Sequence, residues 1–91
     1  MPVDQAVAVD VPGLLAERLR NAPDTAIRDA LHHGRTIRRG QGYSVRVTAP
    51  LTVHRAMLAQ CADLTGDGAS PAGRKAYRVY ADRVEAARNA C

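Results

Sequence analysis

The segment "GRTIRRGQGYSVRVTAP", residues 34–50, decides the fold of this 91-residue chain. Two short runs that contain β-branched residues flank Gly40 and Gly42, and glycine readily adopts the positive φ of a tight hairpin turn. We therefore predict an antiparallel hairpin with strands near residues 35–39 and 43–48.

The second of these strands alternates between two kinds of side chain. One set is Tyr43, Val45 and Val47, and the other is Ser44, Arg46 and Thr48. Because successive side chains of a strand point to opposite faces, the pattern predicts one face in the core and one face in water.

The residues before the hairpin predict a strand and two helices. Valine at every second position predicts a half-buried strand over residues 6–11, which Pro12 ends. The segment "GLLAERLRNA" then places leucines at helical spacing, and Pro23 followed by Asp24 indicates the start of a second helix. Gly34 ends that helix, as expected of a cap residue in the left-handed conformation.

Two further helices are predicted after the hairpin. Beyond Pro50, apolar residues recur at helical spacing through Leu64, which predicts an amphipathic helix of about 14 residues. A break follows at residues 66–68, and Ser70 with Pro71 indicates the start of a final helix. The inward-facing residues of that helix are predicted to be Ala76, Tyr80, Val84 and Ala87.

These elements predict one α+β domain over residues 1–91, with a small three-stranded antiparallel sheet and four helices. A chain of this length buries only about 60% of its unfolded surface, so the core is expected to be modest. The chain has no Trp and no Phe, which leaves the core mainly to aliphatic residues.

Positive charge is concentrated in the hairpin. The chain has a formal charge of +4, and residues 34–46 hold four arginines and no acidic residue. Such a patch favours phosphate ligands through the release of counterions. The competing interpretation is a merely solvated basic face, since twelve arginines against one lysine, with many alanines, are typical of a GC-rich genome.

Three segments resemble a known family. The residues "LAERL" at 15–19, "TAIRDAL" at 25–31 and "GRTIRRGQGYSV" at 34–45 are similar to the winged helix-turn-helix domain of GntR-type bacterial repressors. The resemblance covers residues 13–47. It implies a winged-helix-like fold and a small non-enzymatic regulator of transcription that binds double-stranded DNA.

In that fold, residues 13–49 form the helix-turn-helix and its wing. Residues 51–91 are then expected to complete the three-helix core and to join two chains as a homodimer. The resemblance also implies a set of DNA-contacting residues, with Arg28 as the candidate for a bidentate contact with guanine. Together with Arg35 and Arg46 of the basic patch, the predicted set is Thr25, Arg28, His32, Arg35, Arg38, Arg39, Gln41 and Arg46.

A second nucleic-acid interpretation uses the other half of the chain. Residues 44–80 have the order of a ribbon-helix-helix dimer, a strand followed by two helices. In that arrangement Ser44, Arg46 and Thr48 would enter the major groove.

The alternative of a different class is a protein-protein interaction module, an adaptor or inhibitor without nucleic-acid binding. It would dock through the long C-terminal helices, with Tyr77 and Tyr80 exposed or half exposed. The position of the arginines separates the two classes. If Arg28, Arg38, Arg39 and Arg46 converge on one surface, DNA is favoured, and if they scatter or form ion pairs, the interaction module is favoured.

The sequence gives little basis for catalysis or metal binding. It contains no nucleophile elbow, no phosphate loop and no paired carboxylates in an apolar setting, so we predict no enzyme activity and no cofactor. The stretch "DLTGDGASPAGR", residues 63–74, follows the first half of a calcium loop but has Arg74 where a bidentate acid is required. His54 and Cys61 lack further ligands at suitable spacing, so no metal is predicted.

Neither a membrane span nor a secretory signal is predicted, so we expect a cytoplasmic protein without a membrane partner. Cys61 and Cys91 are expected to be free thiols.

Overall fold

The computed structural model of the chain describes residues 5–90. Its elements are β1 (Ala6–Pro12), α1 (Gly13–Leu19), α2 (Thr25–His32), β2 (Arg35–Arg39), β3 (Gly42–Pro50), α3 (Leu51–Gln60), a short 3-10 helix (Ala62–Thr65) and α4 (Pro71–Asn89). The described residues form an α+β fold with a three-stranded antiparallel sheet and four α-helices, which confirms the predicted fold class.

The strand β3 is the centre of the sheet, whose order is β1-β3-β2. β2 and β3 form the predicted hairpin, in which Gly40 has a φ of 59°. β1 pairs along the other edge of β3, with Asp10 opposite Arg46. Because β3 has a partner on each side, it cannot pair with a strand of a second chain, and the ribbon-helix-helix interpretation is wrong.

Alternation divides the sheet into two faces. Val9, Val11, Val45 and Val47 are at most 4% exposed and lie on the face that the helices cover, here called the helix side. The other face, here called the open face, carries the alternate strand residues, and most of these are exposed. The predicted division of β3 is confirmed, except that Ser44 on the open face is buried between the neighbouring strands.

The core lies between the helix side and the helices. α4 packs against β1, α1 and α3, so the C-terminal half of the chain completes the helical layer. The large apolar residues that the four α-helices bury are Leu15, Leu19, Ile27, Leu31, Met57, Tyr80 and Val84. Leu14 is 40% exposed because it lies one residue before Leu15 and so falls outside the inward stripe of α1.

The helix predicted over residues 51–64 is shorter than expected. α3 ends at Gln60, Cys61 leaves the α-helical conformation with φ −107° and ψ 14°, and the chain continues as the 3-10 helix. Cys61 and Leu64 are nevertheless both buried. The spacing of the apolar residues therefore fits a 3-10 helix after Gln60 as well as a continued α-helix. For this reason the spacing did not predict that α3 ends at Gln60.

Gly34 differs from its predicted role. Among the described residues only Gly40 has a positive φ, so Gly34 is not a left-handed cap. A Cβ at this position would lie 2.6 Å from Val45 Cγ1 and 3.0 Å from the carbonyl oxygen of Arg46. Glycine is needed here because the end of α2 approaches β3 closely.

A buried polar contact joins three elements of the core. The Tyr80 hydroxyl lies 2.8 Å from Nδ1 of His54, and Nε2 lies 3.1 Å from the carbonyl oxygen of Val7. Since a carbonyl only accepts, Nε2 carries the proton and Tyr80 donates to Nδ1. Burial lowers the pKa of His54 and keeps the ring neutral. Tyr80 is fully buried, which confirms the inward position predicted from its spacing in the last helix, and the exposure expected of it in an interaction module is wrong. Tyr77 is half-buried.

Within residues 5–90, no helix combines the length and the apolar character that crossing a membrane requires.

Candidate nucleic-acid interface

Two adjacent arginines of β2 point to opposite faces of the sheet. Arg38 pairs with Tyr43, whose hydroxyl donates to Glu17 of α1, so Arg38 lies on the helix side. The guanidinium of Arg39 instead reaches Asp10 on the open face. The arginines of the hairpin and Arg28 therefore do not converge on one surface, which by the criterion of the sequence analysis favours the interaction module.

The open face and its border carry four guanidinium groups. Arg35, Arg39 and Arg46 belong to the sheet, and Arg83 of α4 reaches the edge of β1. Arg35 lies directly opposite Arg46, and like charges in this position destabilise an antiparallel sheet. Folding alone does not favour this arrangement, which an anionic ligand would stabilise.

Asp10 contacts three of these four groups, those of Arg39, Arg46 and Arg83. Its carboxylate accepts from Arg46 Nε at 2.8 Å, from Arg46 Nη2 at 3.3 Å and from Arg39 Nη2 at 2.5 Å. Its backbone carbonyl accepts from Arg83 Nη1 at 2.9 Å. The hydrogen bond from Arg46 is the main reason that the pKa of Asp10 is lowered, and it outweighs the opposing effect of burial.

Asp10 is the single acidic residue among the open-face positions of the three described strands. Four arginines and one carboxylate leave an excess of three positive charges. Arg35 forms no ion pair or hydrogen bond through its side chain within the described residues, so its guanidinium is available to a ligand. A cleft of about 410 Å³ beside this face is lined by Asp10, Arg46 and Arg83.

The helix side carries a different arrangement. Arg20, Arg28 and His32 line a concavity of about 350 Å³ together with Asp29. Arg28 donates through Nη1 to the carbonyl oxygen of Ala22 at 3.1 Å.

Carboxylates lie close to the arginines of the helix side. Glu17 Oε1 lies 3.9 Å from Arg20 Nε and accepts a hydrogen bond from the Tyr43 hydroxyl. The carboxylate of Asp24 caps α2 by accepting from the backbone N–H of Ala26. Asp29 lines the same concavity as Arg20 and Arg28, and among these groups the structure shows one ion pair, between Glu17 and Arg20.

The residues proposed from the resemblance thus fall into three groups. Arg35, Arg39 and Arg46 lie on the open face, Arg28, His32 and Arg38 lie on the helix side, and Thr25 and Gln41 are exposed at the start of α2 and at the hairpin tip.

Sequence reasoning missed two members of the open-face cluster. The alternation of valines in β1 already indicates that Asp10 faces away from the core. Its position opposite Arg46, however, depends on the pairing of strands far apart in the chain. Arg83 lies 73 residues from Asp10, and no local pattern connects them.

The loop of residues 63–74, whose first half resembles a calcium site, forms hydrogen bonds within the protein. Arg74 donates to the carbonyl oxygens of Gly66 and Asp67 at 3.0 Å, and Asp63 binds Arg18 through both oxygens. No three His, Cys, Asp or Glu side chains lie close enough to share a metal ion in the part of the chain that the structure describes.

Cys61 is a buried free thiol, and burial raises its pKa. Cys91 lies outside the described residues.

Comparisons with known proteins assign no family. No protein-family model matches the chain, and neither curated proteins nor solved structures give a significant match.

Proposed function

We propose that this protein is a small non-enzymatic DNA-binding regulator that contacts duplex DNA through the open face of its sheet. The observation that supports the proposal is the excess of positive charge on the open face and its border, where Arg35, Arg39, Arg46 and Arg83 accompany the single carboxylate of Asp10. Guanidinium groups bind phosphate through paired N–H donors, and their binding releases counterions from the polyanion. A cytoplasmic location is part of this proposal because DNA is the ligand.

The spread of the arginines favours a polymer over a single phosphate. The backbone positions of Arg35 and Arg39 are about 13 Å apart on one strand, although the guanidinium of Arg39 reaches across the sheet to the same carboxylate as that of Arg46. Across the sheet, β1 and β2 are two strand spacings apart, about 10 Å. Duplex DNA, with one charge per about 1.7 Å of axis, supplies several phosphates over such an area.

The order of the elements supports a winged-helix-like arrangement as part of the proposal. A strand, two helices and a hairpin follow one another, the sheet order is β1-β3-β2, and α4 supplies a third helix against α1. In a winged helix, however, α2 would enter the groove. We assign the main contact to the open face instead, because Arg20 and Arg28 share their concavity with Asp29. In addition, Glu17 lies 3.9 Å from Arg20, and Asp24 caps the helix that carries Arg28.

A matched pair of substitutions in one strand tests the assignment. Arg35→Gln and Arg38→Gln remove the same charge, and neither side chain makes a hydrogen bond or ion pair within residues 5–90, so both variants should fold. Binding to random duplex DNA is measured by fluorescence anisotropy between about 50 mM and 200 mM salt. We expect Arg35→Gln to flatten the slope of log K against log salt by about 0.9, and Arg38→Gln to change it by less than half as much.

Two results would contradict the proposal. The first is an Arg38→Gln effect equal to or larger than that of Arg35→Gln. The second is an absence of wild-type binding at about 50 mM salt while circular dichroism shows an intact fold.

The protein interaction module is the second candidate, because the arginines are divided between two faces and Asp10 neutralises part of the charge. The composition of the surface argues against this candidate. Leu14 is the single exposed large hydrophobic residue within residues 5–90, whereas the centre of a protein interface is normally apolar. Dimerisation through residues 51–91 stays a prediction, and Met57, Tyr80 and Val84 of that segment are already packed inside the chain.

A further inference from the structure

Asp10 holds Arg46 in a fork that leaves part of the guanidinium free. The carboxylate accepts from Nε and Nη2 of Arg46. A guanidinium has five N–H groups in a fixed plane, so both N–H groups of Nη1 and one of Nη2 remain available. The Arg46 side chain is 47% exposed, and solvent therefore reaches it. The free donors lie at the end of the side chain away from Asp10.

Two strands of the open face match the width of one groove of DNA. The major groove, about 12 Å wide, admits a two-stranded β-ribbon, and β1 and β3 form such a pair with their axes about 5 Å apart, whereas the minor groove is about 6 Å wide. β2 then lies at the border of the groove. Arg46 lies on the central strand, with Asp10 and Arg35 directly opposite it on the two neighbouring strands. When the face lies in the major groove, Arg46 is at the middle of the groove and Arg35 is at its border.

We propose that the open face enters the major groove and that Arg46 binds a guanine there, with Asp10 as the positioning residue. Two terminal N–H groups of a guanidinium match the O6 and N7 acceptors of guanine. Asp10 fixes the plane of Arg46 before DNA arrives, which reduces the conformational entropy that binding removes. The inference rests on the proposed function, because it names how the same face recognises its ligand.

Arg35 and Arg46 then have different roles. Arg35 is an unpaired side chain on an exposed edge strand, which suits a phosphate contact that carries no base information. Arg46 is central and held by a carboxylate, which suits a contact of fixed direction. Loss of a phosphate contact weakens binding to all sequences alike, whereas loss of a base contact relaxes the preference at one position.

The experiment is a selection from a randomised duplex library with the full chain. The wild type should enrich a G·C pair at one position by about 5- to 150-fold over the other pairs. Arg46→Gln should lose this preference, and Arg35→Gln should keep it while binding all sequences more weakly. Arg46→Lys keeps the charge but cannot form the fork, so it should keep binding to random duplex and lose the preference.

The positioning role of Asp10 has its own readout. Asp10→Asn should bind random duplex more tightly, since a carboxylate beside the phosphates is removed, and should at the same time lose the guanine preference. Asp29→Asn makes the same change of net charge on the helix side and should keep the preference. A merely structural role of Asp10 would weaken both properties together, and that result would overturn the role assigned to it.

Other outcomes separate this inference from the proposed function. Wild-type binding to duplex DNA without any base preference, or a preference that Arg46→Gln retains, would overturn the guanine contact and leave the proposed function standing. Failure of the folded wild type to bind any duplex would end both.

Discussion

The helix side and the open face differ in how their arginines and carboxylates are distributed. On the helix side, Arg20 and Arg28 line one concavity with Asp29, and Glu17 lies 3.9 Å from Arg20. On the open face and its border, four arginines accompany a single carboxylate, that of Asp10. What decides the potential of a surface is which face each residue of a strand occupies, not how many arginines a segment contains.

The largest expected effect tests the assignment of the two faces directly. Val47 is fully buried on the helix side, and its neighbour Thr48 is exposed on the open face. Val47→Asp buries an unpaired charge and should destabilise the fold by about 4 kcal/mol or more. Thr48→Asp should change the free energy of unfolding by about 0.5 kcal/mol or less. Urea unfolding of both variants checks this, and a Thr48→Asp loss larger than that of Val47→Asp would reverse the two faces.

A smaller effect separates the faces by their response to acid. Burial lowers the pKa of His54 below its ordinary 6.5. The contribution of neutral His54 to the free energy of unfolding is therefore complete above that pH and falls as the pH drops below it. Arg46 lowers the pKa of Asp10 below its ordinary 3.8. The contribution of ionised Asp10 to the free energy of unfolding is therefore complete above that pH and is lost as the pH falls further.

Urea unfolding at a series of pH values should therefore show two ranges of loss. His54→Gln should reduce the loss that begins near pH 6.5, and Asp10→Asn should reduce the loss that begins near pH 3.8. An Asp10→Asn variant that altered the upper range and left the lower one unchanged would contradict the division.

Local patterns in the sequence predicted most of the elements. The hairpin, its Gly40 turn and the alternation of β3 depend on neighbouring residues, and the structure confirms them. The same alternation places Arg38 and Arg39 on opposite faces, although their adjacency in the chain suggested one basic surface.

The pairing of residues far apart in the chain could not be predicted from the sequence. The contact between Asp10 and Arg46 joins residues 36 positions apart and depends on the register of β1 against β3. The valine alternation excludes a shift of that register by one residue, which would turn the valines of β1 to the open face, but it allows a shift by two residues, which would move Asp10 away from Arg46. Gly34 was assigned a conformational role, whereas its reason is the packing of α2 on β3, which only the tertiary structure shows.

The most direct test of the account is to observe the arginine side chains as DNA binds. The Nε–H signals of the arginines can be followed by NMR while random duplex DNA is added to the full chain at low salt. We predict that the signals of Arg35, Arg39 and Arg46 shift and that those of Arg28 and Arg38 do not. Shifts at Arg28 and Arg38 with unchanged signals on the open face would contradict the claim that the open face holds the DNA.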